Sequence, residues 1–187
     1  MPANTFEFGS GSPPEIQALP LSLRPFAEEQ LTSIYVNWLN DPSVVRFSEN
    51  RHRSHSLESC RKYFEQFSNG PSSLWAIFDP QNNHIGNISA SIDIFNAVAD
   101  IGILLGAESA RGRGYGTLAW GAVLAYLSAR NDIQKITAGC MSTNTAMRRI
   151  IENSGFEQDG IRRLQYIWEG SRVDVHYYAI HKVTPKK

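Results

Sequence analysis

The sequence predicts a mixed α/β domain, and three observations carry that expectation. Ile88, Ala90, Ile92 and Ile94 alternate with Asn87, Ser89, Ser91 and Asp93, the period-two pattern of a strand with one buried face. An apolar stretch over 101–105 passes through a glycine-rich turn into a helical run over 118–130. Strand and helix signals follow one another in the order β-α-α-β-β-β-α-β-α-β-β, without internal repeats or low-complexity tracts.

Each element has its own local justification. Residues 1–20 hold Gly9, Gly11, Pro13, Pro14 and Pro20 among polar neighbours, a composition that predicts an irregular arm. Leu21 and Leu23 alternate with polar residues in a first strand that Pro25 closes. Glu28 and Glu29 then open a helical pattern in which Leu31, Ile34, Tyr35, Trp38 and Leu39 recur at three- and four-residue intervals, and Asn40-Asp41-Pro42 breaks it. A polar loop over 44–55 carries Arg46, Arg51, His52, Arg53 and His55 and is a candidate substrate loop or a solvated connection. Ser56 caps a helix over about 57–67, with Ser59 where a full capping box has Glu or Gln.

Three strands follow, over 74–78, 85–94 and 97–105, with turns at 79–83 and at Phe95-Asn96. Beyond the helix opened by Gly114, the pattern predicts a strand over 135–141 and a helix over 144–153 ended by Gly155. The final antiparallel pair, over 160–168 and 173–180, turns at Glu169-Gly170-Ser171. The expected domain therefore spans 21–183, with 184–187 as a tail.

Composition narrows the function classes. A chain of 187 residues that is 42% hydrophobic can bury a sizeable core as one domain. Eighteen basic residues balance eighteen acidic ones, and no stripe of aromatic and basic residues is present, which argues against a nucleic-acid or anionic-membrane partner. Cys60 and Cys140 have neither disulfide-framework nor metal-ligand spacing, so no metal site is expected. No apolar run reaches 18 residues and the start lacks a secretory layout, so a cytoplasmic location is the expectation.

The chemistry concentrates at Arg111-Gly112-Arg113-Gly114-Tyr115-Gly116-Thr117. A glycine-rich turn entering a helix presents unpaired backbone N–H groups at the positive end of the helix dipole, and Arg111 and Arg113 add full charge. The expected ligand is a pyrophosphate. The spacing is neither G-x-G-x-x-G nor a P-loop.

Arg111-x-x-Gly114-x-Gly116 resembles the acetyl-CoA signature, Gln/Arg-x-x-Gly-x-Gly/Ala, of the GNAT superfamily of N-acetyltransferases. A second likeness lies at Asn144 and at Asn153-Ser154-Gly155-Phe156, similar to the family segment in which an Asn starts a helix and a Gly-Phe pair ends it. The resemblance implies a central, mostly antiparallel mixed sheet flanked by helices, with a V-shaped splay between the two parallel strands over 97–105 and 135–141. It further implies acetyl-CoA as acyl donor. Its pantetheine arm would pair with the backbone of Ile103, Leu104 and Leu105 by strand addition. Arg111, Gly112, Arg113, Gly114, Tyr115, Gly116 and Thr117 would cradle the pyrophosphate, and Asn144 would bond the arm or simply cap its helix.

The implied reaction is acetyl transfer to a primary amine, which is protonated at pH 7 because its pKa is about 10, so a base is required. Asp100, eleven positions before Arg111, resembles the strand position where some family members carry an acidic base; it is equally a solvent-facing strand carboxylate. Asp93 is the runner-up. Many relatives place a Tyr as general acid seven residues after the helix-starting Asn, and here that residue is Ile151. A thiolate leaving group needs little help, and Ser142 and Tyr166 are the alternatives.

Trp38-Leu39-Asn40-Asp41-Pro42 with Val44-Val45-Arg46 resembles the RimJ/RimL-type branch, which implies a protein N-terminus or a small amine as acceptor. Gly86-Asn87-Ile88, Gly160-Ile161-Arg162-Arg163 and Val173-Asp174 also resemble members acting on nucleotide-linked amino sugars, whose diphosphate Arg46, Arg51 and Arg53 would grip. A catalytically silent acyl-CoA-binding regulatory module is the alternative of another class. The expected assembly is a monomer or homodimer.

Overall fold

In a computed structural model that describes residues 12–182, one parallel junction divides an otherwise antiparallel sheet. The strands are β1 (Ile16–Ala18), β2 (Leu21–Pro25), β3 (Ser73–Phe78), β4 (His84–Asp93), β5 (Val98–Leu105), β6 (Lys135–Met141), β7 (Glu157–Trp168) and β8 (Ser171–His181). They lie side by side in the order β1-β2-β3-β4-β5-β6-β8-β7. The helices are α1 (Ser33–Asn40), α2 (Pro42–Val45), α3 (Leu57–Ser68), α4 (Tyr115–Ala129) and α5 (Thr145–Asn153).

Two apolar clusters cover the two faces of the sheet. On one, Ala119, Trp120, Val123 and Leu127 of α4 pack with Trp75, Ile77, Ile88, Ala90, Ile101 and Ile136. On the other, Tyr35, Trp38 and Leu39 of α1 and Cys60 of α3 pack on Leu74, Ala76 and Phe78. This explains why β3 reads as a continuous apolar run: both of its faces are buried. Leu127 has no solvent exposure, so its truncation to Ala should cost about 2–5 kcal/mol. Cys60 and Cys140 are both buried free thiols.

Three expectations need correction. Part of the stretch read as an irregular arm is a strand: Ile16–Ala18 pairs with Leu21–Leu23, and the Trp75 indole N–H donates to the Pro14 carbonyl at 2.8 Å. Residues 1–11 of that arm, and the tail over 184–187, lie outside the described residues. The helix read from residue 28 begins at Ser33, because the Thr32 hydroxyl accepts from Tyr35 N–H as an N-cap and leaves Glu28–Gln30 as a single 3₁₀ turn. The polar loop over 44–55 also holds structure, the end of α2 and a 3₁₀ turn at Glu49–His52.

Candidate active site

The site is built where β5 outruns its parallel neighbour. β5 pairs with β6 only at Val98↔Lys135, Ala99↔Ile136 and Asp100↔Thr137, although both strands continue. From Ile101 onward the edge of β5 that faces β6 is therefore without a strand partner, the V-shaped opening of the expected fold. Ile103 and Leu105 pack into the α4 cluster and Leu104 into the α1 cluster, so these residues offer the opening their backbone edge.

Beyond that edge stands the glycine turn. Gly112 and Gly114 have φ of +72° and +74°, left-handed values at which a side chain is strained, and nothing lies within 4 Å of where a Cβ would be. The Leu118 N–H bonds the Gly114 carbonyl at 3.1 Å as the first turn of α4 closes. The N–H groups of Tyr115, Gly116 and Thr117 have no backbone acceptor, which leaves a row of donors suited to phosphate oxygens. Arg111 and Arg113 are exposed beside it, and Arg111 Nη2 reaches the Ser43 hydroxyl of α2 at 3.1 Å.

Asp100 sits at the apex of the opening. Its carboxylate accepts from the Thr137 hydroxyl at 2.6 Å. The side chain keeps solvent contact yet is recessed among neighbouring atoms, and that desolvation raises its pKa above the ordinary value, opposed by the Thr137 bond. Asp93, the runner-up, is occupied in a turn: it accepts from Asn96 Nδ2 at 2.7 Å and from the Phe95 and Asn96 N–H groups at 3.0 Å. The Asn96 amide leads in holding its pKa below the usual carboxylate value.

On the face of the sheet opposite α4 lies a cavity of about 600 Å³, roofed by α1, α3 and the residues between α2 and α3. The register Asn87↔Leu104, Ser89↔Gly102, Ser91↔Asp100 places these pairs on one face. Gly102, without a side chain, opens the floor; Asp100 does not line the cavity but lies two residues before Gly102 on the same face, about 7 Å away. Arg53 lines the cavity; Arg46 and Arg51 do not. Arg46 pairs with Glu169 at 2.7 Å and Arg51 with Glu49 at 2.7 Å and the Ile167 carbonyl at 3.0 Å, so the hairpin of β7 and β8 takes up both.

Asn144 Oδ1 caps α5 by accepting from Met147 N–H at 3.2 Å, while its Nδ2 has no partner among the described residues. Ile151 is fully buried, and neither Ser142 nor Tyr166 lines the cavity. Of the cavity side chains, Lys62 and Tyr63 belong to no motif of the sequence, and Asn87 enters only through the resemblance carried by Gly86-Asn87-Ile88. Asn87 and Ser89 are the polar positions of β4's alternation, which ordinarily marks a solvent face. Among the described residues no three His, Cys, Asp or Glu side chains gather as metal ligands, and no helix is long and apolar enough to cross a membrane.

Solved structures share this architecture. RimL, a ribosomal L7/L12 alpha-N-protein acetyltransferase in complex with coenzyme A, aligns at TM-score 0.76 and 22% identity over 90% of this chain and 98% of that one. A GNAT-family acetyltransferase from Bacillus anthracis aligns at TM-score 0.75 and 20% identity over 90% and 99%. Spermidine N-acetyltransferase from Vibrio cholerae, in complex with CoA and spermine, aligns at 0.76 and 19% over 87% and 95%. A family model described as an acetyltransferase (GNAT) domain matches residues 21–157, and with the donor turn and the splayed parallel pair in place the chain belongs to the GNAT acetyltransferases, a family of N-acetyltransferase enzymes.

Proposed function

We propose that the enzyme moves an acetyl group from acetyl-CoA to a primary amine of a protein N-terminus or a small amine. The observation that carries this is the alignment of three features around β5: the unpaired amides at 115–117, the open strand edge from Ile101, and Asp100 at its apex beside the cavity face. Acetyl-CoA, when bound, supplies an activated thioester. The N–H groups of 112–117 with Arg111 and Arg113 hold its pyrophosphate, the backbone of Ile103, Leu104 and Leu105 aligns its arm, and Asn144 Nδ2 donates to that arm. The amine enters from the cavity. Asp100, directly or through one water, takes the proton that the ammonium must lose, and its raised pKa makes it a stronger base than an ordinary Asp.

A second acceptor class, a nucleotide-linked amino sugar, is supported by the single arginine of the loop that faces the cavity, Arg53. A cytoplasmic location is part of the proposal, consistent with two free thiols. The test is release of free coenzyme A from acetyl-CoA with N-terminal peptides, polyamines and amino sugars in parallel. Release with any one of them is the expected result; coenzyme A binding without release on all of them would favour a catalytically silent module.

A further inference from the structure

The cavity that would receive the amine has a one-sided chemistry. Arg53, Lys62 and His55 line it, and no Asp or Glu does. Arg53 enters no ion pair among the described residues; Lys62 pairs only with Glu58, one turn earlier on α3, and both are well exposed. The His55 backbone is fixed, its N–H donating to Asn40 Oδ1 at 2.8 Å and its carbonyl accepting from Asn40 Nδ2 at 2.9 Å, and its ring Nε2 is buried without a partner.

Asn87 adds an independent observation that points to a polar ligand. It is 6% exposed and lines the cavity. His84 Nε2 lies 3.1 Å from the Gly86 carbonyl and 2.8 Å from Asn87 Oδ1. A carbonyl can only accept, so Nε2 must carry the hydrogen, and the Asn87 amide must then turn its oxygen to His84. Burial lowers the His84 pKa and favours this neutral ring. The arrangement leaves the Asn87 Nδ2 donor buried with no partner among the described residues, whereas buried donors in native proteins are ordinarily paired.

We infer that the acceptor is a small amine whose body carries an oxyanion, a phosphate or a carboxylate, received by Arg53, Lys62 and the Asn87 amide. This rests on the acetyltransferase function proposed above and deepens it. A polyamine fits poorly, since its second ammonium would meet Arg53 and Lys62 with no carboxylate in the cavity to receive it. The volume suits a small molecule or a few terminal residues of a chain.

The test begins with protein saturated with coenzyme A, which fills the donor turn, titrated calorimetrically with inorganic pyrophosphate. A further binding event is expected, weakened about tenfold or more in the double variant Arg53→Gln, Lys62→Gln, with coenzyme A affinity unchanged. Both side chains are exposed, so the variant should fold. In parallel, coenzyme A release is compared for glucosamine 6-phosphate against glucosamine, and for the peptide Ser-Glu-Glu against Ser-Gln-Gln-amide. The charged member of one pair should have the higher kcat/KM by about tenfold, lost in the double variant, and the pair concerned identifies phosphate or carboxylate as the source. No pyrophosphate heat on the loaded protein, equal heat in the variant, or preference for neutral amines or spermidine would each overturn the inference. Failure to bind coenzyme A would instead strike the acetyltransferase function, and the pyrophosphate comparison would still decide the anion site.

Discussion

Asp100 and Thr137 face each other across the last rung on which β5 and β6 pair, joined by a 2.6 Å hydrogen bond from the hydroxyl to the carboxylate. One rung further the strands part, so the proposed base is held at the closed end of the opening by the strand that leaves it. Asp100→Asn keeps the shape and removes the proton acceptor. Its kcat/KM should fall about 10²-fold, the lower end for loss of a general base. Wild-type turnover from pH 6 to 9 in that variant would remove Asp100 from the mechanism.

The same substitution should raise the melting temperature. Desolvation lifts the folded-state pKa of Asp100 above its unfolded value. For a carboxyl shifted upward, the folded state binds more protons between the two values, so stability falls as pH rises through that window and the ionised form carries the whole penalty at pH 7. Thermal scans of wild type and Asp100→Asn should therefore diverge as pH increases from 4 to 7. Coincident curves at pH 7 would contradict it.

Thr137→Val removes the bond that favours the charged carboxylate. The Asp100 pKa should move further up, and the acid limb of the kcat/KM profile should shift to higher pH, because only the ionised base is active. A pH profile of the variant checks both direction and assignment.

Gly114→Ala and Gly116→Ala should behave differently. At Gly114 the φ of +74° strains any L residue, at a cost of about 1–2 kcal/mol, and relief of that strain would reshape the donor turn. Stability and coenzyme A affinity should both fall. At Gly116 a Cβ would meet Ile150 Cδ1 and Leu105 Cδ1 at 3.4 Å, ordinary packing turned toward the protein, and φ is not in the left-handed region. That variant should retain most of its affinity, as calorimetry with coenzyme A can measure.

The tip of the last hairpin clamps the loop that carries Arg53. Trp168 stacks on Phe47 at 5.5 Å between ring centres, its indole N–H donates to the Arg46 carbonyl at 3.2 Å, and the Arg46 guanidinium lies 4.9 Å from its ring. Trp168→Ala should raise KM for the amine several-fold and leave KM for acetyl-CoA unchanged. Glu169→Gln breaks an ion pair whose partners are about half exposed, and should change stability by less than about 1 kcal/mol. Steady-state kinetics with each substrate varied in turn checks the first, and denaturant unfolding of the second variant against wild type checks the other.

The glycine turn of the candidate site was legible in the sequence because it is local: Gly112 and Gly114 take the left-handed φ and the helix after them supplies the amides. Asn144 was legible as a cap for the same reason. The cavity was not, because its lining depends on what lies over a strand. Asn87 has the alternation of a solvent-facing residue until α1 and α3 close above it. Arg46, Arg51 and Arg53 are chemically alike in the sequence, and only the contacts of Glu169, Glu49 and Ile167 withdraw the first two. Ile16–Ala18 was obscured by the prolines around it, since edge pairing with β2 is a tertiary fact.

Cys60 and Cys140 are buried, and loss of solvation lifts both thiols above their usual pKa, Cys140 to about 11. Neither supplies appreciable thiolate at neutral pH. A chromogenic aromatic disulfide added to the assay mixture should therefore react with coenzyme A as it is liberated and leave the folded polypeptide silent. Turnover can be followed continuously by colour on the native protein, without blocking or replacing either cysteine.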